Sequence, residues 1–289
     1  MAVLEISVMP ILAILTLYFT ILPYKPPYQA TTDFANLVSE GDYAVENWNF
    51  LDAAGYYHKA SLTSYDTYSA AYSQHREGMC YMLYGLSDIF YRPSDMFYGL
   101  SEENKKYLRR ALVIFENIEN TPEYENTQGF QEAIIDLCSL YRFLDYDPED
   151  EKWCSIVNQL EATFNFDDLE DISVEDITTF ISVAVNLSYY YKTIIYTDSH
   201  SLLSNEDAQE KAIYYSKAAA QLTKKLDEYR GIKNHDQTYL VQIYELTSYL
   251  ITNAFTHPKD KDNFLEMLEE ARTLCQDAIL TIDLEPIRK

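Results

Sequence analysis

The sequence predicts an all-α fold, a series of paired helices preceded by a single hydrophobic N-terminal helix, and three observations predict it. Its 289 residues contain only seven glycines and nine prolines, whereas a many-stranded sandwich or barrel needs a breaker about every 10 residues. From residue 32 onward apolar residues recur at three- and four-residue spacing, as in "YLRRALVIFENI", "AIIDLCSLYRFL" and "FISVAVNLSYYY", the period of a one-faced helix. Small residues recur at fixed offsets within several of these stretches, which is how helices that approach one another closely are written.

The first element is the run "ISVMPILAILTLYFTIL", residues 6–22, which carries no charge. At ~1.5 Å per residue it spans about 25 Å, near the lower limit for crossing a hydrocarbon core. Pro10 falls in its first turns, where a missing N–H is tolerated, and the tyrosine-bearing exit "PYKPPYQATTD" suits interfacial depth. A secretory signal should open on Lys or Arg and close on small residues, and neither is present. Residues 1–24 are therefore expected to be an uncleaved single-pass anchor in contact with the lipid bilayer through 6–22. A helix packed against a partner protein and a signal peptide are the alternatives. Residues 25–33 read as a Pro-rich linker and 34–289 as the helical domain. Lys25, the only basic side chain nearby, leaves topology and organelle open between a cytosol-facing and a mitochondrial location.

Helix starts follow at Ser101-Glu102-Glu103, an N-cap with an acidic first turn, and at Ser173 to Asp176 and Ser204 to Asp207, which read as capping boxes. Stops fall at "YRPSD", "NTPEYENTQG", "DYDPED", "YRGIKNHD" and "THPKDKD". About ten helices joined by short polar loops are expected.

Within these helices Ala53, Tyr57 and Ala60 form an A-x3-aromatic-x2-A triplet. Ala111, Phe115 and Ile118 keep the spacing, as do Ala212, Ser216 and Ala219, and Ala271, Cys275 and Ala278. Offsets of four and seven put the three side chains on one helix face. "EGDYA" at 40–44 and "EGMCY" at 77–81 supply a matching Glu-Gly in the preceding helix, and Gly41 lies twelve residues before Ala53, room for one helix, a turn and a second helix.

These residues resemble the tetratricopeptide (TPR) repeat, in which a small residue sits in the middle of the first helix and the A-x3-F/Y-x2-A triplet marks the second. Starting the unit at Phe34 puts Leu37 at the family's first hydrophobic position, Gly41 at its small position, and Ala53, Tyr57 and Ala60 on the triplet. Ala44 stands where the family has Tyr, and Tyr65 where it closes on Pro. The second unit, with Gly78 and Tyr81, carries an insertion, "SDIFYRPSDMFYGLSEE", before its second helix. Later triplets recur 58, 101 and 59 residues apart, not at 34. The resemblance therefore covers about residues 34 to 120, and the rest reads as a degenerate helix-pair array. It implies a right-handed α-solenoid whose pairs bury their apolar faces by stacking.

Composition narrows the partners. Twenty-two Lys and Arg against 46 Asp and Glu leave a formal charge of −24, which repels phosphate backbones, so nucleic acid is not an expected partner. Cys80, Cys138, Cys154 and Cys275 make no CxxC pair and read as free thiols. The five histidines are scattered, with His58 and His75 expected on solvated helix faces. Dinucleotide, P-loop and GxSxG fingerprints are missing. An EF-hand at Asp145 fails, since Asp150 replaces the sixth-position Gly and Ile156 the twelfth-position Glu.

No catalytic, cofactor-binding or metal-binding residue is therefore expected. A buried cluster of three or more ionisable residues in a pocket would argue for an enzyme instead. The expected function is a non-enzymatic membrane-anchored scaffold or adaptor within a membrane-associated complex, binding protein partners. The alternative is an accessory structural subunit of a large membrane assembly, for example a mitochondrial inner-membrane complex. The resemblance to TPR proteins implies protein capture on the groove side. The candidate groove residues are Tyr43, Trp48, Tyr81, Tyr84, Tyr189, Tyr190 and Tyr191. The repeat-packing set is Gly41, Ala53, Tyr57, Ala60, Gly78, Ala111, Phe115, Ala212, Ala219, Ala271 and Ala278.

Overall fold

The computed structural model describes residues 32–91, 100–197 and 203–230, and every regular element among them is helical. The expected N-terminal anchor, the expected linker as far as residue 31, and Ala271, Cys275 and Ala278 lie outside the described residues. Among the described residues no helix is long and apolar enough to cross a membrane. They divide into two compact units, one ending at Thr163 and the other beginning at Phe164.

Among the described residues the first unit contains α1 (Thr32–Glu46), α2 (Phe50–Thr63), α3 (Thr67–Tyr91), α4 (Glu102–Glu119), α5 (Gln128–Phe143) and α6 (Glu151–Thr163), with a 3-10 turn at Pro122–Tyr124. Each helix packs on the next in the chain, and α3 also packs on α5. Short connections force this neighbour packing. Ser101 Oγ accepts the Asn104 N–H at 3.1 Å to start α4, and Thr127 Oγ1 accepts the Phe130 N–H at 3.1 Å to start α5. Each satisfies one amide that the first helical turn leaves unpaired.

α1 and α5 end alike. Trp48 and Asp145 both have positive φ, 62° and 57°. The Trp48 and Asn49 amides donate to Val45 and Ala44 at 2.9 and 2.8 Å, and the Asp145 and Tyr146 amides to Arg142 and Tyr141 at 3.1 and 2.9 Å. Both are Schellman closures, usually built on Gly. Neither position is a glycine, so the sequence shows neither motif.

The triplets do pack as one face. Ala53, Tyr57 and Ala60 on α2, and Ala111, Phe115 and Ile118 on α4, are all fully buried. Opposite each central ring lies a small residue of the preceding helix. A Cβ placed on Gly41 would meet the Tyr57 ring at 2.9 Å, and one on Gly78 the Phe115 ring at 2.3 Å. The third pair is joined differently, the Trp153 indole N–H of α6 donating to Cys138 Sγ of α5 at 3.4 Å. Each of the three successive hairpins thus sets a ring of its second helix against a small residue of its first, a glycine in two and a hydrogen-bonded cysteine in the third.

These contacts predict opposite signs for one substitution. A Cβ on Gly55 would meet nothing within 4 Å, so Gly55→Ala should stabilise the first unit by about 0.5–1 kcal/mol through helix propensity. Gly78→Ala gains the same propensity but drives a methyl into a buried ring, and should destabilise by about 1–3 kcal/mol. Both tryptophans, Trp48 and Trp153, lie in the first unit, so urea unfolding followed by tryptophan fluorescence reads it selectively. Stabilisation at both positions would refute the packing.

The second unit pairs α7 (Ile177–Thr197) with α8 (Asn205–Arg230). The Asp176 and Asp207 amides donate to Ser173 and Ser204 Oγ at 3.2 and 3.1 Å, closing the capping turns expected there. Ala212, Ser216 and Ala219 are buried. Ser188 on α7 faces them, its hydroxyl donating to the Ala212 carbonyl at 3.1 Å and sharing a hydrogen bond with Ser216. Lys225 Nζ donates to the Leu169, Glu170 and Ile172 carbonyls at 3.1, 2.7 and 2.7 Å, holding the acidic segment before α7 onto α8.

Candidate functional site

The middle of α3 carries three charged residues in succession, His75, Arg76 and Glu77, all buried. Successive helical residues point about 100° apart, so the three reach different neighbours. Arg76 Nη2 donates to Asp42 Oδ1 on α1 and to the Tyr57 hydroxyl on α2, both at 2.8 Å, and Tyr57 in turn donates to Asp42. Glu77 meets His58 Nδ1 of α2 at 3.0 Å. His75 lies between two carboxylates of α5, with Glu132 3.0 Å from Nδ1 and Asp136 2.8 Å from Nε2, and it stacks on Phe115 at 5.5 Å.

His75 therefore does not sit on a solvated face, which corrects the sequence expectation. The three consecutive charges read as surface because their partners lie 19 to 61 residues away in the chain. His58, by contrast, is exposed, as its polar surroundings suggested.

A buried histidine beside two carboxylates is the arrangement that would argue for catalysis, so its electrostatics matter. Burial pushes His75 toward neutrality, but the charges of Glu132 and then Asp136 outweigh it and raise its pKa to about 9. Burial pushes Glu132 up as well, yet the His75 cation holds it below its ordinary value, whereas burial keeps Asp136 raised. An imidazole held protonated near neutral pH, with both nitrogens engaged, is a poor general base. The cluster acts as an ion-paired key between α3 and α5.

The sign of its pH dependence follows. A folded pKa raised above the unfolded value of about 6.5 contributes stability that is complete below pH 6.5 and lost as pH rises through 9. The raised Asp136 acts in the same direction at lower pH. The first unit should therefore lose about 3 kcal/mol between pH 6.5 and 9.5, as measured by urea midpoints with tryptophan fluorescence. A flat profile over that window would contradict the geometry.

The candidate groove residues fall into three environments. Tyr43 is 65% and Trp48 45% exposed, at the end of α1 and in the α1–α2 turn. Tyr84 and Tyr189 are half-buried. Tyr84 meets Tyr107 edge-on at 4.6 Å. Tyr81, Tyr190 and Tyr191 are buried. Tyr81 stacks on Tyr107 beneath the Arg110 guanidinium, which lies 4.2 Å from its ring centre. Tyr191 stacks on Tyr215 at 6.0 Å and receives a hydrogen bond from Lys211 at 3.0 Å. These three side chains fill helix seams, so they offer a partner no open aromatic face.

Cys80 and Cys138 are buried, free thiols whose pKa values burial pushes up to about 12 and about 11. They are poor nucleophiles for that reason. Among the described residues no group of three or more His, Cys, Asp or Glu is arranged to hold a metal.

Fold and site together define a class, an all-α chain of packed helix pairs. Compared with known proteins, the chain matches no family model, no curated protein and no solved structure.

Proposed function

We propose that this chain is a non-enzymatic scaffold or adaptor, anchored to a membrane by its N-terminus, that binds proteins through a TPR-like helical array within a membrane-associated complex. One observation carries the reading. A glycine-against-ring contact recurs in two successive hairpins, as Gly41 with Tyr57 and Gly78 with Phe115, and the third hairpin joins Trp153 to Cys138 by an N–H···S hydrogen bond. Helix pairs that repeat one contact form a nearest-neighbour stack, an architecture that exposes extended binding surface. The buried charges of α3 favour the same reading, since His75, Arg76 and Glu77 each make an ion pair with another helix.

The anchor rests on residues 6–22. Deleting residues 1–24 should move the protein from the carbonate-resistant membrane fraction to the soluble fraction, with the remainder still folded by circular dichroism. Retention of the truncated chain in the membrane pellet after carbonate washing would refute the anchor. Misfolding of the truncated chain without its partners would favour a structural subunit over an adaptor.

A further inference from the structure

We infer that the turn end of the α1–α2 hairpin is a docking surface for a basic protein segment that also carries apolar side chains. Three exposed apolar side chains lie within nine residues there, Tyr43 on the last turn of α1, Trp48 in the turn and Leu51 on the first turn of α2. Trp48 meets Phe50 edge-on at 5.8 Å, which helps orient its indole. It does so from a left-handed backbone conformation, φ 62°, that costs a residue with a Cβ about 1–2 kcal/mol.

The charge around these side chains points to the partner's sign. Residues 32–58 contain five acidic residues and no Lys or Arg. Asp42 is neutralised by Arg76, but Glu46 and Asp52 flank the aromatic turn and are exposed. The last turn of α1 has no basic residue, so Glu46 adds negative charge where the helix dipole already favours a cation. Trp48 and Tyr43 rings add cation–π acceptors. Anionic lipid headgroups would be repelled by the same carboxylates, which favours a Lys- or Arg-bearing protein segment.

This inference rests on the scaffold reading and narrows it to one surface and one partner chemistry. It can be tested on the full chain in mild detergent with a fluorescently labelled amphipathic peptide of leucine and lysine, and its leucine–glutamate counterpart. A chain of this net charge attracts any cation, so a charge-matched control is essential. The paired substitution Glu46→Lys with Asp52→Lys should weaken binding at least about tenfold, while Glu123→Lys with Glu125→Lys changes it less than about threefold. Tryptophan emission should shift to the blue on binding, and Trp48→Phe should abolish the shift.

Equal weakening by both charge pairs would overturn the inference, as would equal binding of the glutamate peptide. A blue shift with neutral vesicles but not with the peptide would also overturn it, by assigning the patch to a membrane. Native partners that stay bound to the Glu46→Lys, Asp52→Lys chain would sink this surface and leave the scaffold reading standing.

Discussion

Replacing His75 by leucine should lower the stability of the first unit by about 3–5 kcal/mol. The side chain is 5% exposed and lies between Glu132 and Asp136, which are four residues apart on α5. Removing the imidazolium leaves the buried Asp136 and the half-buried Glu132 carboxylates facing an apolar group, the costly half of breaking a buried ion pair. Adding Glu132→Gln and Asp136→Leu should recover most of the loss, because removing all the charges together avoids that penalty. His75→Leu should also flatten the fall in stability between pH 6.5 and 9.5. A loss below about 1 kcal/mol would show that the cluster does not key α3 to α5.

The second large effect belongs to the small-against-ring contacts. Phe115→Ala should cost about 3–5 kcal/mol, since the ring is fully buried and its removal opens a cavity beside Gly78. Gly78→Leu alone should cost about 1–3 kcal/mol or more by overpacking. Combined, the two should be less damaging than their sum by at least about 1 kcal/mol, because the new leucine occupies the space the ring vacated. Simple additivity would mean that Gly78 and Phe115 do not share one space. Phe115 also supports the His75 ring at 5.5 Å, so Phe115→Ala and His75→Leu should be non-additive too.

What the sequence made legible was local. Helix period, serine caps and the Ala53-Tyr57-Ala60 spacing depend on residues a few positions apart, and each has its counterpart in the helices. Gly41 and Gly78 were recognisable because a repeated Glu-Gly precedes each triplet. Non-local features left no comparable trace. Nothing in "SQHREG" distinguishes a buried ion-pair key from a solvated helix face, because the deciding partners are on α1, α2 and α5. The Cys138–Trp153 contact escaped the triplet pattern because its small member is a cysteine and α6 carries no alanine face. Trp48 falls in the room left for a turn between Gly41 and Ala53, but its left-handed backbone was not legible, since that conformation normally advertises itself with Gly or Asn. Tyrosines at groove-like positions were legible as amphipathic rings, yet whether a ring seals a seam or faces solvent depends on the neighbouring helix, as Tyr81 and Tyr43 show.

The claim that this chain works by holding another protein is tested most directly by site-specific photo-crosslinking in intact cells. A benzophenone amino acid would be placed at Trp48, at Tyr43 and, as a control on the exposed side of α4, at Val113. The account predicts a protein adduct from Trp48 and Tyr43 that maps to a Lys- or Arg-bearing segment, with none from Val113. Absence of a protein adduct from all three positions, in a chain that remains folded, would contradict it.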